Sequence, residues 1–168
     1  EINGYASDIT RTFPVNGKFS EAQKEIYDVV LNAQKSAINS IKPGVSSNKP
    51  HETACEIITN GLIKLGIMKS AEDLTKFYMH NTGHWLGLDV HDVGSKLIND
   101  EFREFKNGMV TTVEPGIYIR RDDKIDSKYW DIGIRIEDDV LVTETGNHVL
   151  SEKAIKDIDE IEHLMSQR

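Results

Sequence analysis

The sequence predicts an α+β fold in which helices cover one side of an antiparallel sheet. Apolar residues recur at helical spacing between about residues 20 and 65, and after about Phe77 the pattern shifts to short β-type runs separated by Gly, Pro and Asn. No repeat, low-complexity tract or linker interrupts the 168 residues, a length that suits one domain or a piece of a larger one.

The first thirteen residues read as extended chain, followed by Pro14 and a turn at Asn16-Gly17. Ser20 with Gln23 three places on forms a capping box for a long helix. Its stripe is Ala22, Ile26, Val29, Val30, Ala33, Ala37 and Ile41, and Pro43-Gly44 stops it. A second helix is expected from about Pro50 to Leu65, with Ala54, Ile57, Ile58, Leu62 and Leu65 inward and Gly66 as its stop. Ser70 with Asp73 suggests a short third helix. Strands are expected at Phe77-Tyr78-Met79, at Met109 to Val113 and at Ile117-Tyr118-Ile119. Alternation over Ile132 to Glu137 places Ile132, Ile134 and Ile136 on one face and Gly133, Arg135 and Glu137 on the other. Val140-Leu141-Val142 follows Asp138-Asp139, which suggests a hairpin or bulge between the two runs. From Ser151 onward, Ile155, Ile158, Ile161, Leu164 and Met165 mark a C-terminal helix.

Twenty basic against 28 acidic residues give a formal net charge of -8, with mean hydropathy -0.44. Such a surface repels a phosphate backbone, so nucleic acid is not expected as a partner. No apolar run approaches the roughly 20 residues needed to cross a bilayer, and no export signal is visible, so no membrane partner is expected. The single cysteine, Cys55, lies in a helical pattern and fits a reducing, cytoplasmic compartment. The chain opens at Glu1 without Met, as the interior of a longer chain would.

The chemistry concentrates in a few segments. His80, His84 and His91 fall within twelve residues, in a stretch where Gly83 and Gly87 permit a sharp backbone path. Each alone reads as a hydrogen-bonded core residue, and together they read as ligands. Glu114 closes an apolar, β-branched run and precedes Pro115-Gly116, either as a turn former or as a carboxylate that needs a cation. Arg135 and Glu137 share a strand face, which by itself describes a solvated ion pair. Asp8 alone is an ordinary capping or surface acid. With Glu114, Glu137 and one imidazole it would complete an oxygen-rich site suited to hard or borderline ions, Mn²⁺ in particular, and three carboxylates balance two such ions better than one. Other motifs fail. His51-Glu52-Thr53-Ala54-Cys55 lacks the second zincin histidine, there is no G-x-S-x-G elbow, and Cys55 has no obvious base, so it reads as packing.

Four ordered segments, Gly4 to Phe13, His80 to Gly94, Thr112 to Tyr118 and Gly133 to Asp139, resemble the proline-specific metallopeptidases of the creatinase and methionine aminopeptidase, or pita-bread, fold, and within them aminopeptidase P. The resemblance implies two divalent ions, Mn(II) foremost, held by Asp8, His84, Glu114 and Glu137. It also implies a further Asp about eleven residues upstream of Asp8, before Glu1, so residues 1–168 would be the C-terminal part of a catalytic domain. The implied reaction is attack on an Xaa-Pro peptide bond by a hydroxide bridging the metals. Glu114 would relay the proton, His91 would hydrogen-bond the carbonyl or oxyanion, His80 would line the substrate pocket and Arg135 would orient a ligand carboxylate. A proline-containing peptide is then the partner, and association into a homo-oligomer is expected from a sticky edge strand. Prolidase, acting on Xaa-Pro dipeptides, and a non-catalytic binding module of the same fold share these features.

Overall fold

A computed structural model describes residues 3–167, so the first two residues of the expected extended stretch lie outside the described residues. Ser20 accepts from the Gln23 amide while the Gln23 side chain accepts from the Ser20 amide, and this capping box starts α1 (Glu21–Asn39). Its buried face carries Ala22, Ile26, Val30, Ala33 and Ala37. The helix ends at Ser40, and Ile41 is buried just beyond it rather than within it. Helix α2 (Lys49–Lys64) lies against α1, burying Ala54, Ile58 and Leu62. Gly61 sets the distance between them, because a Cβ there would sit 2.6 Å from a methyl of Val29. A 3-10 helix over Ala71–Lys76 follows.

Phe77-Tyr78-Met79 is not a strand. The amides of Phe77 and Tyr78 both bond to the carbonyl of Leu74, which commits this stretch to closing the 3-10 turn. A two-residue hairpin pair, β1 (Leu97–Ile98) with β2 (Glu101–Phe102), turns through Asn99 and Asp100, both at positive φ. Five strands follow, β3 (Val110–Val113), β4 (Gly116–Tyr118), β5 (Gly133–Arg135), β6 (Asp138–Val142) and β7 (Asn147–Val149), in a three-stranded sheet of order β3-β6-β7 and a two-stranded sheet β4-β5. Strand β3 pairs antiparallel with β6, β4 with β5, and β7 covers the other side of β6.

The register of these pairs explains the site. Val113 stands opposite Asp138 and Gly116 stands opposite Arg135. Each strand therefore spends two residues on the gap, and the register passes through it unbroken. Glu114 falls opposite Glu137, and Pro115 opposite Ile136. Pro115 has no N–H to give the ladder, although its carbonyl still accepts from Ile136. The expected hairpin or bulge after Glu137 is thus neither; β5 and β6 are one strand line interrupted at Ile136-Glu137, as β3 and β4 are at Glu114-Pro115. The amides of both acids turn outward, Glu114 N–H donating to the Thr82 carbonyl and Glu137 N–H to the Thr10 carbonyl. Residues 82–86 run antiparallel beside β3, and residues 8–12 lie beside β5 and the start of β6. Ile134 and Ile136 point into the core, as alternation predicts.

The C-terminal helix, α3 (Ile158–Ser166), begins seven residues later than its apolar pattern predicts. Ser151 and Lys156 are instead drawn into a buried cluster around Asp138. That carboxylate, 0% exposed, meets Arg11 at 2.7 Å and Ser151 at 2.6 Å, and it also bonds Lys156 and Gln34. Burial opposes the charge, and Lys156, Ser151 and Arg11 hold the carboxyl below its usual range. Arg11 also donates to the carbonyls of Thr10, Glu137, Ala154 and Ile155, so it ties the segment carrying Asp8 to β6 and to the chain before α3. Replacing Asp138 by Asn should leave two cations facing a buried neutral group. It is expected to lower stability by about 3–5 kcal/mol in urea unfolding, and a loss under about 1 kcal/mol would contradict the role given to this cluster.

Candidate metal centre

Sequence neighbours build the centre in pairs. On the 82–86 line, Gly83 allows the backbone to lie against β3, since a Cβ there would sit 2.0 Å from the Thr112 carbonyl oxygen. That approach puts His84 beside Thr112, whose hydroxyl accepts from the His84 amide at 3.0 Å and donates to Glu114 Oε1 at 3.2 Å. The ring is fixed by its other nitrogen. His84 Nδ1 lies 3.0 Å from the Trp85 carbonyl, which can only accept, so Nδ1 carries the proton and Nε2 offers a lone pair.

That lone pair points at acids. His84 Nε2 is 3.4 Å from Asp8 Oδ2 and 3.5 Å from Glu114 Oε1. Ligand atoms of His84, Glu114 and Glu137 lie within 4.8 Å of one another, and so do those of Asp8, His84 and His91. The structure therefore brings Asp8, His84, Glu114, Glu137 and His91 into one cluster with His84 common to both groups. The His84 and His91 rings meet edge to face at 4.4 Å, with His91 exposed. His80 stands apart from the cluster. Its Nδ1 donates to the Asn81 carbonyl, and its Nε2 lies 2.9 Å from the Tyr118 hydroxyl.

Glu137 is not on a solvated face. It is 1% exposed, and no ion pair with Arg135 forms. The Thr10 hydroxyl donates to its Oε2 at 2.5 Å, while Oε1 is buried without any partner. Burial, with Glu114 and Asp8 nearby, pushes its carboxyl up to about 7 despite the Thr10 bond and Arg135. A buried oxygen lacking a donor, beside a free imidazole nitrogen and two more carboxylates, fits a divalent cation with oxygen and nitrogen ligands. Arg135 approaches Glu137 only through Thr10, its Nε lying 3.4 Å from the hydroxyl.

Several contributors escaped the sequence reasoning. Thr112 was legible, because it lies two residues before Glu114 on the same strand face. Thr10 and Tyr118 gave no local signal. Asp139 stood in a quoted motif without a role, yet its carboxylate receives the Asp8 amide at 3.3 Å. Cys55 does have a neighbouring base, since His51, one helical turn earlier, places Nε2 3.5 Å from its sulfur. Burial pushes the thiol up, which keeps it protonated and consistent with packing.

A model of metallopeptidase family M24 matches residues 1–144, and the chain belongs to that family. Its relatives include the Xaa-Pro aminopeptidases of Haemophilus influenzae, 52% identical over 99% of this chain, and of Escherichia coli, 49% identical over 98%. The chain spans about 40% of the length of these curated relatives. Among solved structures, a Pseudomonas aeruginosa aminopeptidase superposes with TM-score 0.95 at 48% identity, covering 99% of this chain and 40% of that one. Zinc-substituted Escherichia coli aminopeptidase P with product gives 0.91 at 48% identity, covering 98% and 39%. The fold is thus mixed helix and antiparallel sheet and forms part of the pita-bread domain.

If the cluster binds a divalent ion, Mn²⁺ should raise the melting temperature, with about 2.7 kcal/mol of added stability at roughly 100 times the dissociation constant. His84→Ala and Glu137→Gln should each remove most of that gain. A gain that survives both variants would place the ion elsewhere.

Proposed function

We propose that the protein carrying this chain is an Xaa-Pro aminopeptidase, which releases the N-terminal residue from peptides with proline in second position. The observation that carries the reading is the register-matched pair Glu114 and Glu137, with the free His84 nitrogen and Asp8 beside it. Its family and its Xaa-Pro aminopeptidase relatives support it. In this reading residues 1–168 are the C-terminal part of the catalytic domain, and an Asp from outside them completes the ligand set.

Asp8, His84, Glu114 and Glu137 would hold two divalent ions, Mn(II) foremost, and the ions would supply Lewis acidity and a lowered pKa for water. Thr112 and Thr10 keep Glu114 and Glu137 turned toward the centre through the bonds described above. Arg135, donating to Thr10 Oγ1, acts as a positioning residue for Glu137. Glu114 takes a proton at its carboxylate and passes it to the departing proline nitrogen. His91, on the exposed side of His84, donates to the carbonyl oxygen as negative charge develops there. His80, held between Asn81 and Tyr118, lines the peptide pocket.

A net charge of -8 argues against nucleic acid as a partner. Among the described residues no helix is long and apolar enough to cross a membrane. A cytoplasmic location rests on the single, half-buried Cys55.

In the full-length protein, His84→Ala or Glu137→Ala should reduce metal-dependent release of the first residue from an Xaa-Pro-Xaa peptide to the blank rate; unchanged turnover would refute the ligand assignment. Wild-type protein should cleave that longer peptide as well as Gly-Pro. Turnover of Gly-Pro alone would make it a prolidase, and no turnover of either a binding module.

A further inference from the structure

A largely apolar cavity with a few polar groups adjoins the metal centre and shares His84 and Thr112 with it, and the reaction proposed above does not use its other walls. It has a volume of about 230 Å³ and lies between the N-terminus of α2 and the 82–84 segment, with Ser47, Asn48, His51, Asn81, Lys96 and Phe102 among its walls. At about 30 Å³ per water molecule it has room for several waters or a small oxyanion.

Its polar groups lean to one sign. Lys96 Nζ donates to the Gly83 carbonyl at 2.6 Å, which uses one of its three protons. Among the described residues it forms no ion pair, and burial draws its ammonium below the usual lysine value although Glu114 acts in the other direction. An ammonium half removed from water and in no ion pair is only partly offset by Glu114. Ser47 Oγ is a separate observation, since it is buried with no hydrogen-bond partner. The start of α2 adds the positive end of its dipole, and Asn48 supplies no side-chain cap to neutralise it. The one acid on that first turn, Glu52, faces outward, where it accepts from Asn48 and pairs with Lys49. His51 contributes wall rather than charge. Its Nδ1 is engaged by Thr82 at 2.9 Å, and burial lowers its pKa, so the ring is neutral near pH 7.

We propose that this cavity binds a small oxyanion of carboxylate or phosphate type, with Lys96 Nζ as its ion partner, Ser47 Oγ as a hydroxyl donor and the N-terminus of α2 behind it. Two sources share this chemistry, a free anion and the C-terminal carboxylate of a bound peptide. The cavity borders the metal centre at His84 and Thr112, but the anion would be held by Lys96 and Ser47, which take no part in the proposed reaction, so binding in the absence of metal tests it whether or not the peptidase reading holds.

Titration calorimetry on the full-length protein in EDTA can use inorganic phosphate, then Ala-Pro-Ala with a free or an amidated C-terminus. Phosphate should bind, Lys96→Met should weaken it by about tenfold or more, and Lys96→Arg should restore most of it. That result assigns a free anion. Tighter binding of the free-acid tripeptide than of its amide in wild type, but equal binding of the two in Lys96→Met, assigns the peptide carboxylate. If neither ligand depends on Lys96, the proposal is overturned. Equal melting temperatures for the three proteins without ligand would confirm that the variants differ in binding and not in folding.

Discussion

Two carboxylates face one another across neighbouring strands in the interior of this protein. Like charges directly opposite in a sheet are unfavourable, and burying either one without a partner is more so. The fold nevertheless brings Glu114 and Glu137 together with the register intact on both sides, and it leaves Glu137 Oε1 with no donor. A cation would resolve this conflict, since the proposed ligand set offers it both acids together with the free nitrogen of His84 and the carboxylate of Asp8. The rest of the site reads as provision for holding that arrangement before the cation arrives.

The provision is made largely by the backbone. Both acids send their amides sideways to Thr82 and Thr10, which draws the 82–86 and 8–12 segments to either side and carries His84 and Asp8 with them. Those two segments are irregular, so other contacts must fix them. Gly83 permits close approach on one side. On the other, Arg11 bonds across to Asp138, next in sequence to Glu137. Asp138 is itself locked by Lys156, Ser151 and Gln34, so one buried, fully partnered carboxylate steadies a neighbouring one whose Oε1 lacks a partner.

The helices were legible in the sequence because capping and a 3.6-residue stripe are local properties: Ser20 with Gln23 located α1, and Gly66 located the end of α2. The strands were legible in place but not in pairing. Alternation could not reveal the break at Ile136 and Glu137, because it depends on Pro115 across the pair and on Thr10, which takes the Glu137 amide. Phe77 to Met79 has strand composition and lost to the turn closing on Leu74. The C-terminal helix started late because Lys156 is claimed by Asp138, a contact across eighteen residues that periodicity does not register. The acids and histidines of the centre stood out by their unusual surroundings and by their resemblance to a family. The hydroxyls that orient them, Thr10 above all, carry no such mark, because a threonine before a strand is ordinary until its partner is known.

Diffraction from crystals of the full-length protein grown with Mn²⁺ and recorded near the manganese absorption edge tests the central claim most directly. Anomalous peaks should appear about 2.0–2.3 Å from His84 Nε2 and from carboxylate oxygens of Glu114 and Glu137, with Asp8 completing the group. Well-occupied peaks elsewhere, with none among these four side chains, would contradict the account.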